Sequence, residues 1–291
     1  MEKKIEFYSE GCLIKGLLYL SDSYSENEKY PLVILCHGFA GFKELFLPDF
    51  AKNFIQHGFA VLTFDYRGFG ESEGEKGKIV PEYQVRDIRN AILYIKTLSL
   101  IDSDKISLWG TSYGGANVIT TASKECNLKC IIVQGTFGNG ERVIMGGMNS
   151  DEKEKLINSL NKMATKSVLK NKSLSIPLNK MLVDKQSSAF YNNYIDKFEQ
   201  LKIKIPFLTN RETLEYKPEN IISNINIPIL ITAAESDIVN PLEESKILYE
   251  KANEPKELQI IKNAEHYDLY IGSYFEEVIE KQITWLKKYG V

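Results

Sequence analysis

The 291-residue chain has little of several things that would have narrowed its role at once. It has no surplus of positive charge: 36 lysines and arginines stand against 39 acids, a net charge of −3, so no basic face is offered to nucleic acid. It has no run of ~18 apolar residues that would span a bilayer. Its opening, Met1-Glu-Lys-Lys-Ile-Glu6, lacks the apolar stretch of a secretory signal. The expectation is a cytoplasmic protein with no membrane partner. Cysteine is scarce too, at Cys12, Cys36, Cys126 and Cys130, and no histidine or second close cysteine pair accompanies Cys126 and Cys130. Reduced structural thiols are therefore expected rather than a metal site or a redox pair. Histidine is rarer still. Any imidazole chemistry has to use His37, His57 or His266.

What is present organises itself around Ile106-Ser-Leu-Trp-Gly-Thr-Ser-Tyr-Gly-Gly115. A short apolar run feeds into Gly110-x-Ser112-x-Gly114 and then into a helical pattern, Ala116 to Ser123, which reads as strand, sharp turn and helix. At such a turn the middle residue sits in strained backbone, and flanking glycines let strand and helix approach closely. Ser112 is thus expected to project its hydroxyl above the sheet edge, with the Tyr113 N–H at the helix start aimed at a substrate oxyanion. Two partners stand downstream. Asp237 lies in the loop after the strand-like Ile227–Ala234, and His266 in the loop after Glu257–Ile261. A serine hydroxyl is a poor nucleophile at neutral pH; an imidazole can take its proton, and a carboxylate can fix the imidazole's tautomer. Ser, then Asp, then His is one of several chain orders in which this constellation occurs.

Together with Cys36-His-Gly-Phe39, Asp65-Tyr-Arg-Gly-Phe-Gly-Glu-Ser72, Asp237-x-x-x-Pro241 and Glu265-His266, these residues resemble the α/β-hydrolase superfamily. Within it they are similar to esterases and peptidases of the X-Pro dipeptidyl-peptidase and serine-aminopeptidase type. The resemblance covers residues 1–138 and 220–291, the expected α/β-hydrolase core. It implies a mostly parallel central sheet with helices on both faces, and a helical lid inserted at 139–219. It also implies a second oxyanion donor, the N–H of Phe39, and a structural, loop-bracing His37. The Asp237 loop ends in Val-Asn-Pro as the family's acid loop does, which favours Asp237 over Glu235, Glu265 and Asp268.

Along the chain, Lys3–Tyr8 and Leu13–Leu20 read as an edge hairpin, and Tyr30–Cys36 as a strand buried on both faces. Leu45–His57 and Pro81–Ser99 carry helical stripes, and Phe59–Phe64 is another strand. Asp65 and Arg67 are expected to pair and hold the loop that follows it. The glycine-rich Gly68–Gly74 is no phosphate loop, because no P-loop lysine follows and its acids would repel phosphate. In the insertion, Asn149-x-x-Glu152 would cap a helix with the stripe Leu156, Leu160, Met163, Ala164 and Val168. A second helix is expected over Ser187–Gln200, its Phe190, Tyr191 and Tyr194 forming a substrate pocket wall. A last helix spans Tyr274–Tyr289.

The reading is a serine hydrolase that forms an acyl-enzyme on Ser112, a carboxylesterase for a small or medium acyl ester, with no cofactor and no metal. A thioesterase, acyltransferase or peptidase uses the same acyl-enzyme. From a different class, a hydrolase-fold receptor would bind its ligand without turnover. The partner is a small-molecule acyl substrate, and the sequence leaves the oligomeric state open, a homodimer included.

Overall fold

A computed structural model describes residues 1–25 and 27–291. The chain opens with β1 (Glu2–Ser9), β2 (Cys12–Tyr19) and β3 (Tyr30–Cys36), followed by α1 (Leu47–Ile55), β4 (Ala60–Phe64) and α2 (Pro81–Ile95). Then come β5 (Ile101–Thr111), α3 (Tyr113–Ala122) and β6 (Ile131–Gln134). Here the alternation breaks into α4 (Gly140–Met145), α5 (Ser150–Lys170), β7 (Ser175–Pro177), α6 (Lys185–Tyr194), β8 (Lys204–Pro206) and α7 (Thr209–Glu215). It resumes with β9 (Ile229–Ala234), α8 (Leu242–Lys251), β10 (Lys256–Ile261) and α9 (Gly272–Tyr289).

Eight strands form one sheet in the order β1-β2-β4-β3-β5-β6-β9-β10. β2 runs antiparallel to both its neighbours, and β4, β3, β5, β6, β9 and β10 pair in parallel. Parallel strands need crossovers, and the helices that supply them cover both faces. This is why Leu32 to Cys36 read as an unbroken apolar run: all five are fully buried, and alternate residues serve opposite faces. Leu32, Ile34 and Cys36 pack with Ile88 of α2 and Ile119 of α3, whereas Val33 and Leu35 pack with Phe50 of α1 and Leu286 of α9.

The insertion between β6 and β9 carries its own small apolar cluster, Met145, Leu160 and Leu214. The capping box of α5 is present: Asn149 Oδ1 accepts from the Glu152 N–H at 3.0 Å, and Glu152 Oε2 accepts from the Asn149 N–H at 2.9 Å. The stripe below it is buried at Leu160 but runs out by Val168, which is 85 % exposed, because α5 extends past the body it packs on. One expectation shifts, and one element is new. The second lid helix ends at Tyr194 rather than Gln200, since Phe198 takes extended backbone (φ −134°) and turns its ring onto Phe42 at 5.3 Å. The antiparallel β7–β8 pair had no legible sequence pattern, being three residues a side.

Candidate active site

The turn between β5 and α3 holds Ser112 at φ 53°, ψ −122°, a left-handed φ that a side-chain-bearing residue adopts only when its surroundings force it. The flanking glycines show what forces it. A Cβ on Gly114 would sit 2.2 Å from the Cys36 carbonyl oxygen, and one on Gly110 would sit 2.4 Å from that of Gly114. Strand, turn and helix therefore touch backbone to backbone, and the serine is pushed out over the carboxyl edge of the sheet. Ser112 Oγ accepts a hydrogen bond from Asn240 Nδ2 at 3.3 Å.

Asp237 follows β9 and His266 follows β10, neighbours in the sheet, so the two loops meet. His266 Nδ1 donates to Asp237 Oδ2 at 2.6 Å, with both side chains almost wholly buried. The other carboxylate oxygen, Oδ1, accepts from the Val239 and Asn240 N–H groups, each at 2.8 Å. A carboxylate held this way has no freedom to turn, and it fixes the imidazole with Nδ1 protonated and Nε2 as the basic nitrogen. Glu235 is spent elsewhere, accepting from the Asn263 N–H at 2.9 Å, while Asp268 caps the Glu265 N–H.

Ser112, His266, Asn240, Phe39 and Tyr113 line one cavity of about 450 Å³. Neither the Phe39 nor the Tyr113 backbone N–H has an acceptor among the described residues. Away from Ser112 the wall is mostly apolar, with Val143, Met148, Leu156 and Ile176 contributed by the insertion. Of the three aromatics expected there, Phe190 lines the cavity and Tyr191 and Tyr194 do not. The reason is helical: Asp184, Ser187 and Phe190 recur every three residues along one face of α6, and Tyr191 is turned about 100° away. Tyr194 caps the wall from outside, edge-on to Phe46 at 5.1 Å.

His37 braces the loop after β3. Its Nδ1 donates to the Gly38 carbonyl at 3.0 Å and its Nε2 accepts from the Tyr66 N–H at 3.3 Å. Burial holds its pKa down at about 4, so the ring is neutral. The pairing of Asp65 with Arg67 is corrected. Asp65 takes Lys43, through Nζ at 2.8 Å and the backbone N–H at 2.7 Å, whereas Arg67 reaches Asp87 at 2.7 Å. The Asp65 carboxylate turns back under the β3 loop, and Arg67 points to α2.

Two polar residues that no sequence pattern singled out stand at the centre. Asn240 joins the serine turn to the next strand end, donating to the Gly135 carbonyl at 2.7 Å as well as to Ser112. Gln186 of α6 bonds to the backbone on either side of Asp237 and to that of His266. Asn240 lay within the quoted acid-loop motif; Gln186 had no signal. No group of histidine, cysteine and acidic residues among those described is arranged to hold a metal, and no described helix is long and apolar enough to cross a membrane.

An uncharacterized 31.7 kDa protein of the traX–finO intergenic region of Escherichia coli is 43% identical over 264 residues, covering 90% of this chain and 92% of that one. The thiohydrolase aneE of Aspergillus aculeatus is 27% identical, covering 98% of this chain and 92% of its own. Among solved structures, that of DcsB in complex with its substrate analogue superimposes with a TM-score of 0.87 at 23% identity, covering 99% of both chains. The model of the alpha/beta hydrolase fold matches residues 31–273, and the chain belongs to that family.

Proposed function

We propose that the protein is a serine hydrolase that passes acyl groups through an ester on Ser112, with a carboxylic ester of apolar acyl chain as substrate. The observation that carries this is the buried 2.6 Å bond between His266 and Asp237 at the cavity that Ser112 also lines. His266 Nε2 takes the Ser112 proton as Oγ attacks the carbonyl carbon, and returns it to the leaving oxygen as that bond breaks. Water then repeats the sequence, freeing the acid and restoring Ser112. Asp237 stabilises the imidazolium in both halves, and the Phe39 and Tyr113 N–H groups receive the oxyanion. Residues 139–219 act as a lid that walls the acyl pocket.

A second reading, hydrolysis or transfer of a thioester, is favoured by the thiohydrolase that aligns with 98% of the chain. The acyl-enzyme is common to both, and only the leaving group differs. A fluorophosphonate probe tests the serine: wild type should label at Ser112, and a protein that labels nowhere is a receptor rather than an enzyme. A panel of p-nitrophenyl esters of graded length, with matched thioesters and aminoacyl anilides, then separates the leaving groups.

A further inference from the structure

Gln186 belongs to the insertion, in the first turn of α6, yet its side chain is spent on the core. Its Nε2 donates to the Ser236 carbonyl at 2.8 Å, and its Oε1 accepts from the Ile238 and His266 N–H groups, both at 3.2 Å. Ser236 and Ile238 flank Asp237, so one amide grips the acid from both sides along the chain and holds the base with its remaining lone pair. The residue is 7 % exposed. None of the three backbone groups has another partner for that bond among the described residues, so removing the amide strands the buried His266 N–H and leaves the half-buried groups of Ser236 and Ile238 to water. The same helix faces the cavity. Phe190 stacks on Tyr267, the residue after His266, at 4.3 Å and 2° between planes, and Ser187 Oγ accepts from the Tyr267 hydroxyl at 3.2 Å.

We infer that Gln186 is a positioning residue for the proposed Asp237–His266 couple, so that the couple is completed by the insertion and forms only while α6 is docked. This rests on the reading of Ser112, Asp237 and His266 given above. An acyl chain seated against Phe190 presses on the helix that sets the spacing of acid and base. Pocket filling and catalytic alignment are then a single event. The titratable groups against the His266 ring are Asp237, Tyr267 and Tyr270; Asp184, which precedes α6 and lines the same cavity, caps the Ser187 N–H at 2.8 Å. Both phenols are pushed up by burial and stay neutral. Asp237 is therefore the one carboxylate bonded to the ring, and a variant that loosens its grip is expected to move the acid limb of the measured rate profile to lower pH.

The test compares wild type, Gln186→Ala, Gln186→Glu and, as control, Asp237→Asn, by kcat and KM on one p-nitrophenyl ester, the pH profile of kcat/KM, and the rate of fluorophosphonate labelling. Misplacing a base by about 1 Å costs up to about 100-fold. Gln186→Ala should therefore lose roughly 10- to 100-fold in kcat and in labelling rate, with KM within about threefold and the acid limb at lower pH. Gln186→Glu keeps the two accepting bonds and adds an anion, so it should recover part of the rate with its acid limb at or above that of wild type. An alanine variant with wild-type kcat and acid limb overturns the inference. If that variant does not fold, the glutamate variant decides, and an acid limb below wild type overturns the inference. Full activity in Asp237→Asn would instead overturn the reading of the site itself.

Discussion

The sheet and the insertion bury their side chains by different rules. In the sheet, Leu108, Ile131, Val133, Leu230 and Ile231 are all fully buried, held between two layers of helices. In the insertion, Val168, Leu169 and Val183 are 85 %, 75 % and 79 % exposed. Between residues 153 and 180 it carries seven lysines against a single acid, Glu154. Its two ends, by contrast, are firmly tied. Arg142 bonds to Glu219 at 2.7 Å and to Glu244 of α8 at 2.9 Å, and Glu244 Oε2 also accepts from the Gly138 and Asn139 N–H groups. Those partners hold the Arg142 guanidinium well above its ordinary pKa. A segment anchored at its ends and through α6, and loosely packed along the far end of α5, can change the α5 side of its pocket wall without disturbing the strands that carry Ser112, Asp237 and His266. On the proposed function, chemistry and selectivity then fall to parts of unequal rigidity.

The hardest way to break this division is at the serine. Ser112→Ala should cost 10⁴-fold or more in kcat/KM while the thermal midpoint stays near wild type, as steady-state kinetics and calorimetry would show. Next comes the sheet itself. Leu108→Ala should destabilise by about 2 to 5 kcal/mol in urea unfolding, because the cavity it leaves lies between fixed layers.

His37 gives a pH-dependent contribution of about 3 kcal/mol. Its folded pKa lies near 4, below the ordinary 6.5, so the unfolded chain binds the proton first. Stability is fully present above pH 6.5 and declines as pH falls toward 4. His37→Gln, followed by denaturant titration across that window, should show a shallower decline.

In the insertion, Leu156→Phe should reduce kcat/KM for the longest esters by about 1 to 3 kcal/mol while shorter ones are unaffected, since apolar walls discriminate length weakly. Val168→Ala should change stability by less than about 0.5 kcal/mol. A larger loss would mean that α5 is covered in solution by something that its exposed face does not show.

What the sequence made legible follows the same line. Gly110-x-Ser112-x-Gly114 could be read because its requirement is local: positive φ at one residue and no Cβ at its neighbours. The strands could be read because burial on both faces leaves an unbroken apolar run, and Asn149 with Glu152 because a capping box closes within one turn. Lys43, Asn240 and Gln186 could not. Each acts by bonding to a group far along the chain, 80 residues in the case of Gln186 and His266, and no periodicity records such a contact. Tyr191 and Tyr194 were placed in the pocket wall as aromatics of the inserted lid, but the rotation of α6 against the core, which composition does not encode, turns them away from the cavity.

The pairing of β6 with β9 has a further consequence, for folding. Ile131 lies opposite Ile229, so adjacent strands are joined only through residues 135–228. Closing so long a loop instead of a six-residue link adds about 2 kcal/mol, because chain entropy grows only with the logarithm of length. That is a small tax on a sheet stabilised by two helical layers. It also means that the bond from Asn240 to the Gly135 carbonyl, and with it the seat of Ser112, forms only after the whole intervening segment has been looped out and its ends brought home. Assembly of the site should therefore be among the last events as the chain folds, and refolding followed by probe labelling should lag behind recovery of tryptophan fluorescence.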